Sequence, residues 1–418
     1  MVTANASYSI LATPVPVLLG VFLLVCSIDM SSSIKWLALT KVHFPWNETR
    51  HCPRSKEERL IYGLTGYQAR LCRNEPELMP AIIRAAFQTQ HACQSYFGLR
   101  RWNCSSVLTA PNLTPDLRKG TREQAYVYAL SSASVAHSVA AGCASGFVLG
   151  CECGRFPDDS MYTPILTNPR GMHRWNGCNH NIDMGIRVSK NFADAPWTRH
   201  RRRRKAVARG VARQRHRRVR NYRVGFDDAD YYTLAGTREQ FKRWTPRTRM
   251  NQHNNEVGRK LILEYRYEAK QSCKCIGVSG SCTQKICWRS LPKINLIAAK
   301  LGKKYRDAWE VRTSKSTPEY FEAVTHKHVP VTVDDMIFIR KSPDYCTQNV
   351  RLGSYGTEGR ECNATIKSGP GNCDSMCCGR GWTQRREVVV KDCQCKFEYC
   401  CVVKCKKCQV EVVENFCK

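Results

Sequence analysis

Cys273-Lys274-Cys275-Ile276-Gly277-Val278-Ser279-Gly280-Ser281-Cys282-Thr283-Gln284-Lys285-Ile286-Cys287 sets four cysteines in fifteen residues. Nesting Cys275–Cys282 inside Cys273–Cys287 would make a two-rung hairpin, and Gly277 and Gly280 let its tip turn tightly. Ser279 would then stand at the tip with its hydroxyl toward solvent. The stretch approaches one catalytic motif, the nucleophile elbow G-x-S-x-G, but Ser281 holds the place of the last glycine. Cysteines flank it where an elbow needs a strand and a helix. A crosslinked, exposed hydroxyl on a rigid stalk is a handle for modification or contact.

Outward from this stretch the cysteines fall into two groups. Of 25 in 418 residues, twelve lie from Cys52 to Cys287 and twelve from Cys346 to Cys417, with none between residues 179 and 272. The remaining one, Cys26, sits in the long apolar run Pro14 to Ile28, which is short for a membrane span and reads as a signal-peptide core within residues 1–30. The residues before that run contain no Lys or Arg, unlike an ordinary signal. Loss of Cys26 leaves 24, an even number, so complete pairing in an oxidising compartment is expected. Twelve cysteines in the last 73 residues mark a disulfide scaffold, in which bridges of about 2–4 kcal/mol each replace apolar core. Cys393-x-Cys395 and Cys405-x2-Cys408 have finger-like spacing, yet few His lie near, so zinc is disfavoured and no metal is expected.

The upstream part reads as helical. Leu78, Ile82, Ala85, Ala86, Phe87 and Phe97 follow a helical period. Thr121 with Gln124 forms a capping box opening a second helix through Tyr126, Leu130, Val135 and Val139, closed by Gly142 and Gly146. A third helix is expected from Glu256 to Lys270, and a fourth on Ile294, Ile297, Leu301 and Tyr305. These stripes are read as helix packing into one core. The expected organisation is a helical domain over 31–324, a linker over 325–345 and a cystine-rich hairpin domain over 346–418.

The formal charge is +31, from 66 Lys or Arg against 35 Asp or Glu. Residues 199–223 hold thirteen of the basic residues and no acid, inside an insert spanning 198–250. Self-repulsion predicts an exposed loop there. Arg201, Arg202, Arg203, Arg204 and Lys205 suit an anionic polysaccharide, and also a proprotein convertase. Only Tyr222 interleaves as an aromatic, so a nucleic-acid partner is not expected. Neither HExxH nor a phosphate-cradling glycine loop occurs, which leaves an enzyme no foothold. Sequons at Asn47, Asn103 and Asn363 permit glycosylation; a fourth at Asn112 is weakened by Pro115.

Cys273 to Cys287, followed by Trp288, resembles the signature of the Wnt family of secreted signalling proteins. The resemblance extends over nearly the whole mature chain. It includes Arg101-Trp102-Asn103-Cys104-Ser105-Ser106, Gly120-Thr121-Arg122-Glu123, Asn255-Glu256-Val257-Gly258-Arg259, Cys377-Cys378-Gly379-Arg380-Gly381 and Cys393-Gln394-Cys395-Lys396-Phe397-Glu398-Tyr399-Cys400-Cys401. Tyr126 to Ser131 and Phe192 to Pro196 look most like the eleventh vertebrate class.

The resemblance implies an α+β, disulfide-rich fold likened to a hand, with a lipid-bearing thumb and a long index-finger hairpin. Ser279 would carry a palmitoleoyl ester from the acyltransferase Porcupine, with no other cofactor. The acyl chain, with Gly277, Val278 and Gly280 around it, would meet the cysteine-rich domain of a Frizzled receptor. The finger tip would supply a second contact through Phe397, Tyr399, Cys400, Cys401, Val402 and Val403. For Phe397 and Tyr399 a place in the core of the tail stands as the alternative. Further implied partners are the carrier Wntless, LDL-receptor-related, ROR or RYK co-receptors, and heparan sulfate proteoglycans. The implied setting is secretion through the endoplasmic reticulum to the extracellular space and matrix, with a role in developmental patterning. A matrix-binding protein without receptor activation is the alternative function.

Family pairing implies Cys93–Cys104, Cys143–Cys151, Cys153–Cys178, Cys273–Cys287 and Cys275–Cys282, leaving Cys52–Cys72. In the tail it implies Cys346–Cys378, Cys362–Cys373, Cys377–Cys417, Cys393–Cys408, Cys395–Cys405 and the vicinal Cys400–Cys401. The chain departs from the family in Ile276, where His is usual, and in the length of the basic insert.

Overall fold

A computed structural model describes residues 33–43, 46–156, 173–195, 197, 244–278, 282, 284–314, 321–325, 331–399 and 402–418. The signal segment 1–30, the tip residues Ser279 and Gly280, Arg201 to Lys205 of the insert, and Cys400–Cys401 lie outside them. Residues 33–418 belong to one compact unit.

The helices in chain order are α1 (Lys56–Ile61), α2 (Gly66–Asn74), α3 (Met79–Phe97), α4 (Arg122–Ala144), α5 (Ile182–Ala193), α6 (Pro246–Glu268), α7 (Ile294–Arg306) and α8 (Cys373–Met376). The strands that shape the first hairpin are β1 (His173–Asn176), β2 (Gln271–Ile276) and β3 (Gln284–Arg289). Between them and the tail come β4 (Trp309–Thr313), β5 (Phe321–Ala323), β6 (Ile337–Phe338), β7 (Gln348–Asn349) and β8 (Ser354–Tyr355). The tail holds β9 (Glu361–Cys362), β10 (Trp382–Glu398) and β11 (Val402–Cys417).

Helix α4 is the centre of the domain, buried on every side and packed by α3, α5, α6 and α7. It is long and apolar enough to cross a membrane, but 89% of its apolar window is buried inside the protein. Its small residues let neighbours come close. A Cβ on Gly185 of α5 would lie 2.2 Å from the Ala136 carbonyl, and one on Gly258 of α6 would lie 2.0 Å from that of Ala129. Two of its buried serines bond to backbone oxygens of neighbouring helices: Ser132 Oγ reaches Asn255 O at 2.7 Å, and Ser138 Oγ reaches Ala81 O at 2.8 Å. At one end, Phe97 packs edge-on against Trp102, Tyr126 and Tyr305.

Three expectations about helices need correction. The α6 helix begins ten residues before Glu256, capped by Thr245 with Pro246 in its first turn. Residues 251–255, Asn-Gln-His-Asn-Asn, are polar yet buried, so no apolar period announces them. Asn254, for example, exchanges hydrogen bonds with the backbone of Ile337. Phe87 is 49% exposed, off the buried face of α3. At α4 the Thr121 hydroxyl accepts from Gln124 N as a cap should. Gln124 Oε1 accepts from Gly120 N, one residue before the position a capping box uses.

After α7, a small sheet of order β5-β4-β6 packs its Val311 and Ile337 with Met250 of α6. The C-terminal region has little core of its own. Cys362, Cys373, Met376, Cys377 and Cys417 pack with Trp382, and crosslinks supply the rest.

Candidate functional site: two crosslinked hairpins

The first hairpin pairs β2 with β3 in antiparallel register, Cys273 opposite Cys287 and Ile276 opposite Gln284. Disulfides join Cys273–Cys287 across the stem and Cys275–Cys282 nearer the tip. Strand β1 runs parallel to β3, so the stem is three strands wide at Trp175 and Ile286.

The root of the stem is fixed to the helical domain by groups that the sequence pattern does not single out. Asn179 Oδ1 accepts from Arg289 N at 2.7 Å, and His180 N donates to Arg289 O at 3.1 Å. His180 Nδ1 accepts from Leu291 N at 3.2 Å. From α4, His137 Nε2 meets Pro292 O at 3.0 Å. Burial pushes the His180 imidazole down to about 4, with His137 adding to the effect, and burial lowers His137 as well. Both rings are therefore neutral at physiological pH, which leaves His180 Nδ1 free to accept. Asn179 and His180 follow Cys178, whose bond to Cys153 holds this segment. The only sequence signal for them is that adjacency.

Toward the tip the hairpin turns apolar and open: Ile276 is 43% and Val278 is 88% exposed. Gly277 is half-buried beside them.

The second hairpin is the β10–β11 ribbon, in register from Trp382 opposite Cys417 to Glu398 opposite Val402. Strand β9 joins it only at the base, opposite Asn415 and Phe416. Beyond that point the ribbon has two strands, a form that is marginal in water by itself. Crosslinks compensate: Cys393–Cys408 and Cys395–Cys405 along the ribbon, with Cys377–Cys417, Cys362–Cys373 and Cys346–Cys378 at its base. A bulge between Cys393 and Lys396 places Gln394 at φ 46°. Ion pairs such as Lys404–Glu398 at 2.7 Å and Lys407–Asp392 at 2.5 Å line the ribbon, each worth about 0–1 kcal/mol.

At the far end Phe397 is 72% exposed and Tyr399 wholly exposed, and Val402 and Val403 are also open. No tail core takes up these rings. Phe397 sits opposite Val403, so aromatic and aliphatic side chains share the end of the ribbon.

The helical domain carries four more bridges, Cys52–Cys72, Cys93–Cys104, Cys143–Cys151 and Cys153–Cys178. Cys362, Cys377 and Cys417 bring sulfurs within 4.8 Å of one another, but each is spent in a disulfide and offers no thiolate. Asn47 and Asn363 are exposed and Asn103 is half-buried. The Asn363 side chain accepts from Thr365 N at 2.8 Å and from its hydroxyl at 2.6 Å.

Helices stapled by disulfides, a strand-rich cystine tail and two crosslinked hairpins define an α+β, disulfide-rich protein. A model of the Wnt family matches residues 60–226 and 219–418. The chain belongs to the Wnt family. It is 38% identical over 400 residues to Protein Wnt-11b of Xenopus laevis, covering 95% of this chain and 97% of that protein. It is 35% identical to Protein Wnt-11 of Coturnix japonica, over 96% of this chain and 98% of the relative. It is 34% identical to Protein Wnt-5b of Pongo abelii, over 85% and 86%. A chain in the solved structure of human WLS in complex with WNT8A matches with TM-score 0.50 and 28% identity, over 87% of this chain and 99% of that one.

Proposed function

We propose that this protein is a secreted, lipid-modified ligand for the cysteine-rich domain of a Frizzled receptor, without catalytic activity. Porcupine esterifies Ser279 with a palmitoleoyl group, and the acyl chain is the main receptor anchor. The observation that carries the reading is the double-bridged hairpin, whose Val278, next to Ser279, is 88% exposed on a stem fixed to the core. Each buried acyl CH₂ contributes about 0.8 kcal/mol, so a long chain gives roughly ten before ordering costs. The open end of the ribbon, Phe397, Tyr399, Val402 and Val403, forms the second contact, and its crosslinks limit the entropy lost on binding.

A free acyl chain needs a carrier. The likeness to a chain from the complex of human WLS with WNT8A supports a carrier of the Wntless type. LDL-receptor-related, ROR or RYK co-receptors complete the proposed partners, and Arg201 to Lys205 are the proposed contact to heparan sulfate proteoglycans in the matrix. The test is mass spectrometry of the secreted protein together with Frizzled binding by Ser279→Ala. The expected result is an unsaturated acyl ester on Ser279 and loss of binding with disulfides intact. An unmodified serine in receptor-active protein would refute the mechanism.

A further inference from the structure

The cystine-rich tail meets the helical domain along a seam far in sequence from both hairpin tips. The Arg360 guanidinium donates to the carbonyls of Gly98, Arg100 and Arg101 at 2.7–2.8 Å. Beside it opens a cavity of about 400 Å³, between the loop after α3, the last residue of α7 and the turn at Gly369–Gly371. Its charged wall is Arg100, Arg101 and Arg306, and its apolar wall includes Leu99, Pro370 and Met376.

No carboxylate lines this cavity. Among the described residues none of the three arginines is paired with an acid: Arg101 Nε donates to Ser375 O at 2.8 Å, and the other two turn to Tyr96. The single Tyr96 hydroxyl accepts from Arg100 Nη2 at 3.1 Å and from Arg306 Nη1 at 3.4 Å. Two guanidinium groups thus share one neutral oxygen; Arg100 also stacks over the Tyr96 and Phe97 rings at 4.6 and 5.8 Å, but among the described residues no carboxylate neutralises either charge. Arg100 Nε is buried without a hydrogen-bond partner. Charges so placed lower their energy when an anion enters between them.

We propose that this seam cavity binds a sulfated saccharide, about a disaccharide in size, with the sulfate ester among Arg100, Arg101 and Arg306. A planar guanidinium fork matches the oxygens of a tetrahedral oxyanion, and it is weakly hydrated, so the exchange of water for sulfate costs little. The apolar wall suits the C–H face of a sugar ring, and the volume falls in the range of small-ligand sites. This site is separate from Arg201 to Lys205, and its ligand ties the tail to the helical domain.

The test is calorimetric titration of the full-length protein with a trisulfated heparin disaccharide at about 0.15 M salt. One site is expected, with affinity about tenfold weaker in Arg306→Gln and unchanged when Arg201 to Arg204 are all replaced by Gln. Arg306 is exposed and makes a single long hydrogen bond, so this variant keeps the fold. The ligand raises the thermal midpoint of the wild type and raises it less in Arg306→Gln. The proposal is overturned if the unsulfated disaccharide binds equally well, if Arg306→Gln binds like wild type, or if the affinity is lost with the insert arginines. Equal competition by an acidic peptide would assign the cavity to a protein partner instead and overturn it too.

Discussion

Arg259→Met tests the central packing argument. Phe192 to Pro196 and Asn255 to Arg259 are two separate motifs in the chain, and the fold joins them. Arg259 is 1% exposed. Its Nη2 lies 2.9 Å from Asp194 Oδ2 and 2.6 Å from Glu256 Oε2, and Asn255 Nδ2 donates to Asp194 Oδ1 at 2.8 Å. Methionine keeps the length and removes the charge. Glu256 retains Lys190 at 3.8 Å, whereas Asp194 loses its guanidinium in the interior. Breaking a buried pair from one side costs about 3–5 kcal/mol. That is a large share of the 5–15 kcal/mol typical of a folded domain. With a urea slope of about 3 kcal/mol/M, the midpoint should fall by roughly 1 M or more.

The pH dependence has a definite sign. Burial raises the Asp194 carboxyl above its ordinary range, against the lowering pull of Arg259. Without Arg259 it rises further. A carboxyl raised in the folded state adds stability below its unfolded value and loses it as pH climbs through the folded value. The deficit of Arg259→Met should therefore be smaller at pH 5 than at pH 7.4. The assay is urea unfolding followed by tryptophan fluorescence with disulfides intact, including Asp194→Asn and the double variant. The double variant should be less damaged than the sum of the single ones, by about 0.5–3 kcal/mol. A midpoint loss below that of about 1 kcal/mol, or strict additivity, would refute the reasoning.

Two further outcomes follow from exposure and burial. Asp116 is buried against Trp102 Nε1 at 3.1 Å and Thr114 Oγ1 at 2.5 Å, and burial lifts its carboxyl to about 6 against those hydrogen bonds. The wild type should lose on the order of 3 kcal/mol from this group as pH rises from about 4 through about 6. Asp116→Asn should flatten urea midpoints over that window, and parallel profiles for the two proteins would reject the assignment. Phe397→Ala and Tyr399→Ala should change stability by less than about 0.5 kcal/mol. Binding to a Frizzled cysteine-rich domain, read by biolayer interferometry, should weaken about tenfold or more. A stability loss of about 2 kcal/mol in either would place that ring in a core instead.

Local chemistry made much of the architecture legible in advance. The α4 helix was readable because Thr121 caps it and its interior lacks breakers. The hairpin around Ser279 was readable because four cysteines and two glycines leave a short loop few ways to close. By contrast, the start of α6 was hidden because Asn251 to Asn255 are polar residues whose partners, such as the Ile337 backbone, lie some eighty positions away. The exposure of Phe397 and Tyr399 was equally undecided, since an aromatic on a cystine-rich strand suits a core or a tip.

What the chain by itself determined is therefore the short-range part: crosslinked hairpin, capped helices, the Wnt family and the separation of the +31 charge from the cysteines. What only the tertiary structure decided is long-range. It put Asp194 beside Arg259, set His137 and His180 at the root of the hairpin, and turned the apolar end of the ribbon to solvent. It also brought Arg100, Arg101 and Arg306 around one cavity. The reason is physical: a hydrogen bond or ion pair depends on distance in space, and sequence spacing encodes that distance only within a helix turn, a strand pair or a short loop.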